Sequence, residues 1–152
     1  MNMKIKNKQA KKRSQTKKVK TISPSPSPEE RAEERFIVYH NTRCSKSREA
    51  CSILEGKGIA FETVEYLKTP LDQKQIKELL KLLGAKAQDI VRKSEPLYIE
   101  NYAAEKLTEA QWIKVLAQNP ILIERPIVVK GNKAIVGRPP EKVLNLIKKG
   151  AK

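Results

Sequence analysis

The most constraining stretch runs from Phe36 to Tyr66, where the apolar rhythm changes twice within about thirty residues. Phe36–His40 is apolar and reads as a strand. Ser45–Lys57 then puts Ser47, Ala50, Cys51 and Leu54 on one face at helical spacing, and Gly56 and Gly58 mark its end. Phe61–Tyr66 alternates as a second strand. A β–α–β unit of this length implies parallel strands joined by a right-handed crossover. Cys44 falls where the first strand hands over to the helix. The first N–H groups of a helix lack partners and carry partial positive charge, so a thiol placed there ionises more readily. His40, Arg43, Lys46 and Arg48 all lie within four residues of it. This pattern predicts that Cys44 is a nucleophile.

Downstream, Thr69-Pro70 predicts the start of a helix that buries Ile76, Leu79, Leu80 and Leu83 and stops at Gly84. A short helix is expected around Lys86–Arg92, and an irregular stretch over 93–107 with a turn near Tyr102–Glu105. Thr108-Glu109-Ala110-Gln111 fits a capping box and opens a helix to about Gln118, closed by Pro120. Ile127–Lys130 and Lys133–Val136 flank Gly131-Asn132, a hairpin signal because both turn residues tolerate positive φ. A last helix buries Val143, Leu144 and Ile147. The expected fold class is therefore α/β: a thioredoxin-like (glutaredoxin-like) fold with a mixed four-stranded sheet and a helical insertion between its β–α–β and β–β–α halves.

Residues 1–34 are a different polymer. The first 22 residues hold nine Lys/Arg and no acid, and Ser23-Pro24-Ser25-Pro26-Ser27-Pro28 cannot continue a helix. The segment is expected to be a disordered tail, with residues 35–152 as the folded domain. It lacks the apolar core of a secretory signal, and a solvated tail is the preferred reading. Lys11-Lys12-Arg13 and Lys17-Lys18 offer the one route to nucleic acid. The whole chain carries a net charge of +15, of which the body after residue 35 holds +8, a balance suited to an anionic substrate. No apolar run approaches the ~20 residues of a membrane span, so no membrane association is expected. Two cysteines in a chain of this length fit a reducing cytoplasm better than a disulfide scaffold.

Together these residues resemble the glutaredoxin-related arsenate reductase (ArsC) family. The resemblance is carried by Tyr39-His40-Asn41, Cys44 with Ser47-Arg48, Tyr66-Leu67, Pro70, Arg92-Lys93 with Glu95-Pro96, the run from Pro120 to Val129, and Gly137-Arg138-Pro139. It covers about residues 36–148. It departs at Thr42, where proline is common, at Arg43, and at Cys51, which is outside the motif. The resemblance implies that Cys44 is the catalytic nucleophile and that His40 helps lower its pKa. It implies that Arg92, Arg125 and Arg138 hold the oxyanion, with Arg48, Asn41 and the cis-proline Pro126 in support. Composition alone would make each arginine a surface residue. It further implies reduction of arsenate to arsenite with glutathione as co-substrate, glutaredoxin as partner, and no bound metal or organic cofactor.

Two rival enzyme classes fail on single residues. A cysteine phosphatase loop needs arginine six residues after the cysteine, where Ala50 stands, and a dithiol mechanism needs cysteine at Ser47. Cys51, two helical turns and roughly 10 Å along the axis from Cys44, is too far to form a disulfide and reads as a core residue. The alternatives kept are an Spx-like regulator that binds RNA polymerase, and a glutathione-dependent thiol oxidoreductase that does not act on arsenate.

Overall fold

The computed structural model describes residues 19–21 and 35–150. Its strands are β1 (Val19–Thr21), β2 (Phe36–Tyr39), β3 (Phe61–Val64), β4 (Ile127–Lys130) and β5 (Lys133–Val136). Its helices are α1 (Ser45–Gly56), α2 (Gln73–Leu83), α3 (Pro96–Asn101), α4 (Glu109–Gln118) and α5 (Val143–Gly150). One sheet runs in the order β1-β3-β2-β4-β5. β3 is parallel to both β1 and β2, while β4 is antiparallel to β2 and β5. The expected mixed four-stranded sheet is present as β2 to β5.

The fifth strand corrects the reading of residues 1–34 as wholly disordered, because Val19–Thr21 pairs with Phe61–Thr63. The rest of that segment lies outside the described residues, as do residues 151 and 152.

Alternation along the strands separates two cores. Ile37, Tyr39, Ile127 and Val129 face the helical insertion and pack with Ile76, Leu80, Trp112 and Leu116. Val38, Phe61 and Val128 face the other way, against Ala50 and Leu54 of α1 and Val143 and Leu146 of α5. Full burial of Leu54 stabilises the fold by about 1.5–3 kcal/mol and fixes α1 on the sheet. That fixes where α1 begins, and hence where Cys44 stands.

Several boundaries move from their expected places. α2 is capped by Asp72, not Thr69, because Gln75 completes a reciprocal box with it at 2.8 and 2.9 Å. The short helix expected at 86–92 is a single 3-10 turn, Ala87–Ile90. Helix α3 forms within the stretch expected to be irregular, with Pro96 in its first turn. Thr108 caps α4 as expected, and Gly131 takes φ 57° in the hairpin. Among the described residues, no helix is long and apolar enough to cross a membrane.

Candidate active site

The loop before α1 is shaped by Asn41, which is buried. Its side-chain carbonyl accepts the Arg43 N–H at 2.9 Å, and its backbone carbonyl accepts the Cys44 N–H at 2.9 Å. Its own N–H donates to the Ser47 hydroxyl at 3.4 Å, and Arg48 donates to the Thr42 carbonyl at 2.9 Å. These bonds hold the turn that delivers Cys44 as the N-cap residue of α1.

Burial pushes the Cys44 thiol up, but it is outweighed. The Ser47 amide, the Arg125 guanidinium, the Ser47 hydroxyl and the Lys46 amide all favour the thiolate and bring the thiol from 9.0 down to about 7. The sulfur makes no complete capping hydrogen bond in this state. The pull of the two amides is therefore mainly the electrostatics of a helix start, which needs no ideal bond angle.

The neighbouring basic residues singled out in the sequence are not the ones acting on this sulfur. Lys46 lies 3.5 Å from Glu49, and Arg48 is spent on Thr42. His40 turns its Nδ1 to Cys51 Sγ at 3.8 Å. Burial holds the His40 pKa below 6.5, with Glu65 opposing and Arg48 assisting, so the ring is largely uncharged at neutral pH. The expected help from His40 to Cys44 is thus not seen as a neighbouring cation. Cys51 is half-buried against the α1–α5 core rather than fully enclosed. Its thiol is pushed up to about 12 by burial, with Glu55 adding.

Three arginines from separate segments are brought together. An isolated bridge joins Val91 to Ile123, with Arg92 N–H donating to Leu122 O at 2.7 Å and Glu124 N–H to Ile90 O at 2.8 Å. This sets the Arg92 guanidinium 3.2 Å from Glu124 and 3.3 Å from Glu95. Arg125 approaches the same Glu95 at 3.7 Å, and Arg138 approaches Glu124 at 3.9 Å while donating to the Arg125 carbonyl at 3.0 Å.

Gly137 permits the last contact. A Cβ there would meet Pro126 Cγ at 3.1 Å, and the Gly137 N–H donates to Pro126 O at 2.8 Å. The Arg125–Pro126 bond is cis, as the resemblance implied, and so is Arg138–Pro139. Arg92, Arg125 and Arg138 are thereby linked through Glu95 and Glu124, and Arg125 leads on to Cys44.

Glu95, Glu124, Ser47 and Tyr66 were not assigned to the site from sequence. Glu95 and Glu124 did stand beside Pro96 and Arg125 in the motif-bearing runs, which was the available signal. An arginine cluster held by two carboxylates suits a small tetrahedral anion, whose oxygens can replace the carboxylates in forked, charge-assisted bonds. Among the described residues, no three His, Cys, Asp or Glu side chains are grouped to hold a metal ion.

The family model described as "ArsC family" matches residues 39–146. The chain is 47% identical over 112 residues to the uncharacterized protein YfgD of Escherichia coli, covering 72% of this chain and 94% of that protein. It is 44% identical over 108 residues to an arsenate reductase of Neisseria meningitidis, covering 70% of this chain and 92% of that one. A solved structure of an arsenate reductase from Vibrio cholerae superposes with a TM-score of 0.70 at 40% identity, over 74% of this chain and 97% of that one.

Proposed function

The chain belongs to the ArsC family, and on that premise we propose that it reduces arsenate to arsenite with the Cys44 thiolate as nucleophile. The observation that carries the reading is a cysteine at a helix start whose thiol sits near pH 7, joined through Arg125 to a three-arginine cluster. Arg92, Arg125 and Arg138 hold the oxyanion, exchanging Glu95 and Glu124 for its oxygens. Asn41, Arg48 and Pro126 keep the loops that frame the site.

The Cys44 sulfur bonds arsenic, and one arsenate oxygen departs with two protons as water. Glutathione, the co-substrate, then bonds the cysteine-bound arsenic through its sulfur, and a second oxygen departs from arsenic as water. The glutaredoxin thiolate takes the glutathione sulfur as a mixed disulfide, and the electron pair of the broken S–As bond stays on arsenic as As(III). Water then adds to arsenic, the Cys44–arsenic bond breaks, and arsenite and the Cys44 thiolate are released. This sequence uses no bound metal or organic cofactor, and its thiol reductants fit a cytoplasmic setting. A coupled assay with arsenate, glutathione and glutaredoxin tests it. Turnover by the wild type and none by Cys44→Ser is expected, and equal rates from both would remove the reading. Omitting glutaredoxin reports separately on the electron path.

A further inference from the structure

Tyr66 follows β3 and is buried in the core that faces the helical insertion, with 1% of its surface exposed. Among the described residues, two buried side-chain polar atoms lack a hydrogen-bond partner: the Tyr66 hydroxyl and Arg125 Nε. Both belong to this site. The Arg125 guanidinium interacts with both the Tyr66 oxygen and the Cys44 sulfur, although neither unpaired atom completes a bond of good geometry. Leaving a buried hydroxyl unpaired is unfavourable, and a phenylalanine ring would fill the same space without that cost. A group kept at such a cost beside a nucleophile calls for a state in which it is used.

We infer that Tyr66 is a positioning residue for the nucleophile: its oxygen seats the Arg125 guanidinium, and its hydroxyl proton is directed to the negative charge that Cys44 carries. Burial pushes the phenol up to about 12 against the pull of Arg125 and Arg92, so at neutral pH it is a donor. The charged groups acting on the phenol are Arg125, Cys44 and Arg92, and Glu95 pairs with both guanidiniums. The inference rests on Cys44 being the reactive group, and its test is read on the thiol itself, apart from arsenate turnover.

In a Cys51→Ala background, the pH dependence of Cys44 alkylation by iodoacetamide is compared for Tyr66 and Tyr66→Phe. The midpoint is expected to rise by about half a unit to one unit, with alkylation near pH 6 slowed roughly 3- to 10-fold. The melting temperature should stay level or rise, because an unpaired buried hydroxyl is removed. An unmoved midpoint overturns the inference, whatever happens to stability.

A measurement on the otherwise unchanged chain covers a variant that fails to fold. With ring-carbon-labelled tyrosine, the Tyr66 resonance should shift with the Cys44 midpoint and stop doing so in Cys44→Ser. A resonance indifferent to that midpoint also overturns it. If the midpoint moves while arsenate is not turned over, the positioning role stands and the substrate reading fails.

Discussion

Replacing Ser47 by alanine isolates one contributor to the ionisation of Cys44. Ser47 is wholly buried in the first turn of α1, and both its amide and its hydroxyl act on the sulfur. Alanine keeps the amide, the Lys46 amide and Arg125, and deletes the hydroxyl alone. The thiol lies near 7 against an ordinary 9.0. Losing one of four favourable contacts should move the midpoint by well under that whole drop, about 0.5–1 unit. Near pH 6 that means roughly 3- to 10-fold slower alkylation by iodoacetamide.

The Asn41 N–H also loses its acceptor. At 3.4 Å the bond is long, so the loss sits at the low end of the range, about 1 kcal/mol, or a fall of roughly 4 °C in melting temperature. The sign of the pH effect follows from the depressed thiol. Ionised Cys44 stabilises the fold fully above the unfolded value of 9.0, and that contribution fades as pH falls through about 7. Alkylation profiles and thermal melts of the wild type and Ser47→Ala measure both effects. A midpoint still near 7 in a folded, destabilised variant would refute the reasoning, by showing that the hydroxyl serves the loop and not the sulfur.

The Arg138→Ala variant should raise the arsenate KM several-fold with a smaller change in kcat. Arg138 is the most exposed of the three arginines and reaches the cluster through Glu124 and the Arg125 carbonyl, and steady-state kinetics separate the two parameters. Cys51→Ala should keep most of the arsenate turnover, since that thiol is held un-ionised up to about 12 and faces His40. Loss of turnover with an unchanged circular dichroism spectrum would contradict this.

What could be read from residues alone was whatever leaves a local or periodic mark. The handover at Cys44, the stripe Ile76-Leu79-Leu80 and the Thr108–Gln111 box are of that kind, and they stand where expected. Sequence alone leaves the cap of α2 open, because Thr69 and Asp72 both suit an N-cap and only Gln75, three residues after Asp72, decides between them. The bridging roles of Glu95 and Glu124 are marked in the sequence only by their places beside Pro96 and Arg125, because the partners are set by the fold, 30 residues apart for Glu95 and Arg125 and 32 for Glu124 and Arg92. The direction taken by His40 is a matter of side-chain rotamer, which sequence spacing does not encode. Val19–Thr21 leaves no sequence signal for a related reason. Three residues within a lysine-rich run show no alternation, and their partner strand is some forty positions away.

That small strand has a bearing on how the protein behaves in a crowded solution. A sheet margin presents a row of amides and carbonyls in search of company, and any extended peptide can satisfy them. Here the chain covers three positions of β3, Phe61 to Thr63, and leaves at that margin a strand of only three residues. Trimming away the residues ahead of Arg35 would uncover that row, and the shortened protein would be the stickier of the two.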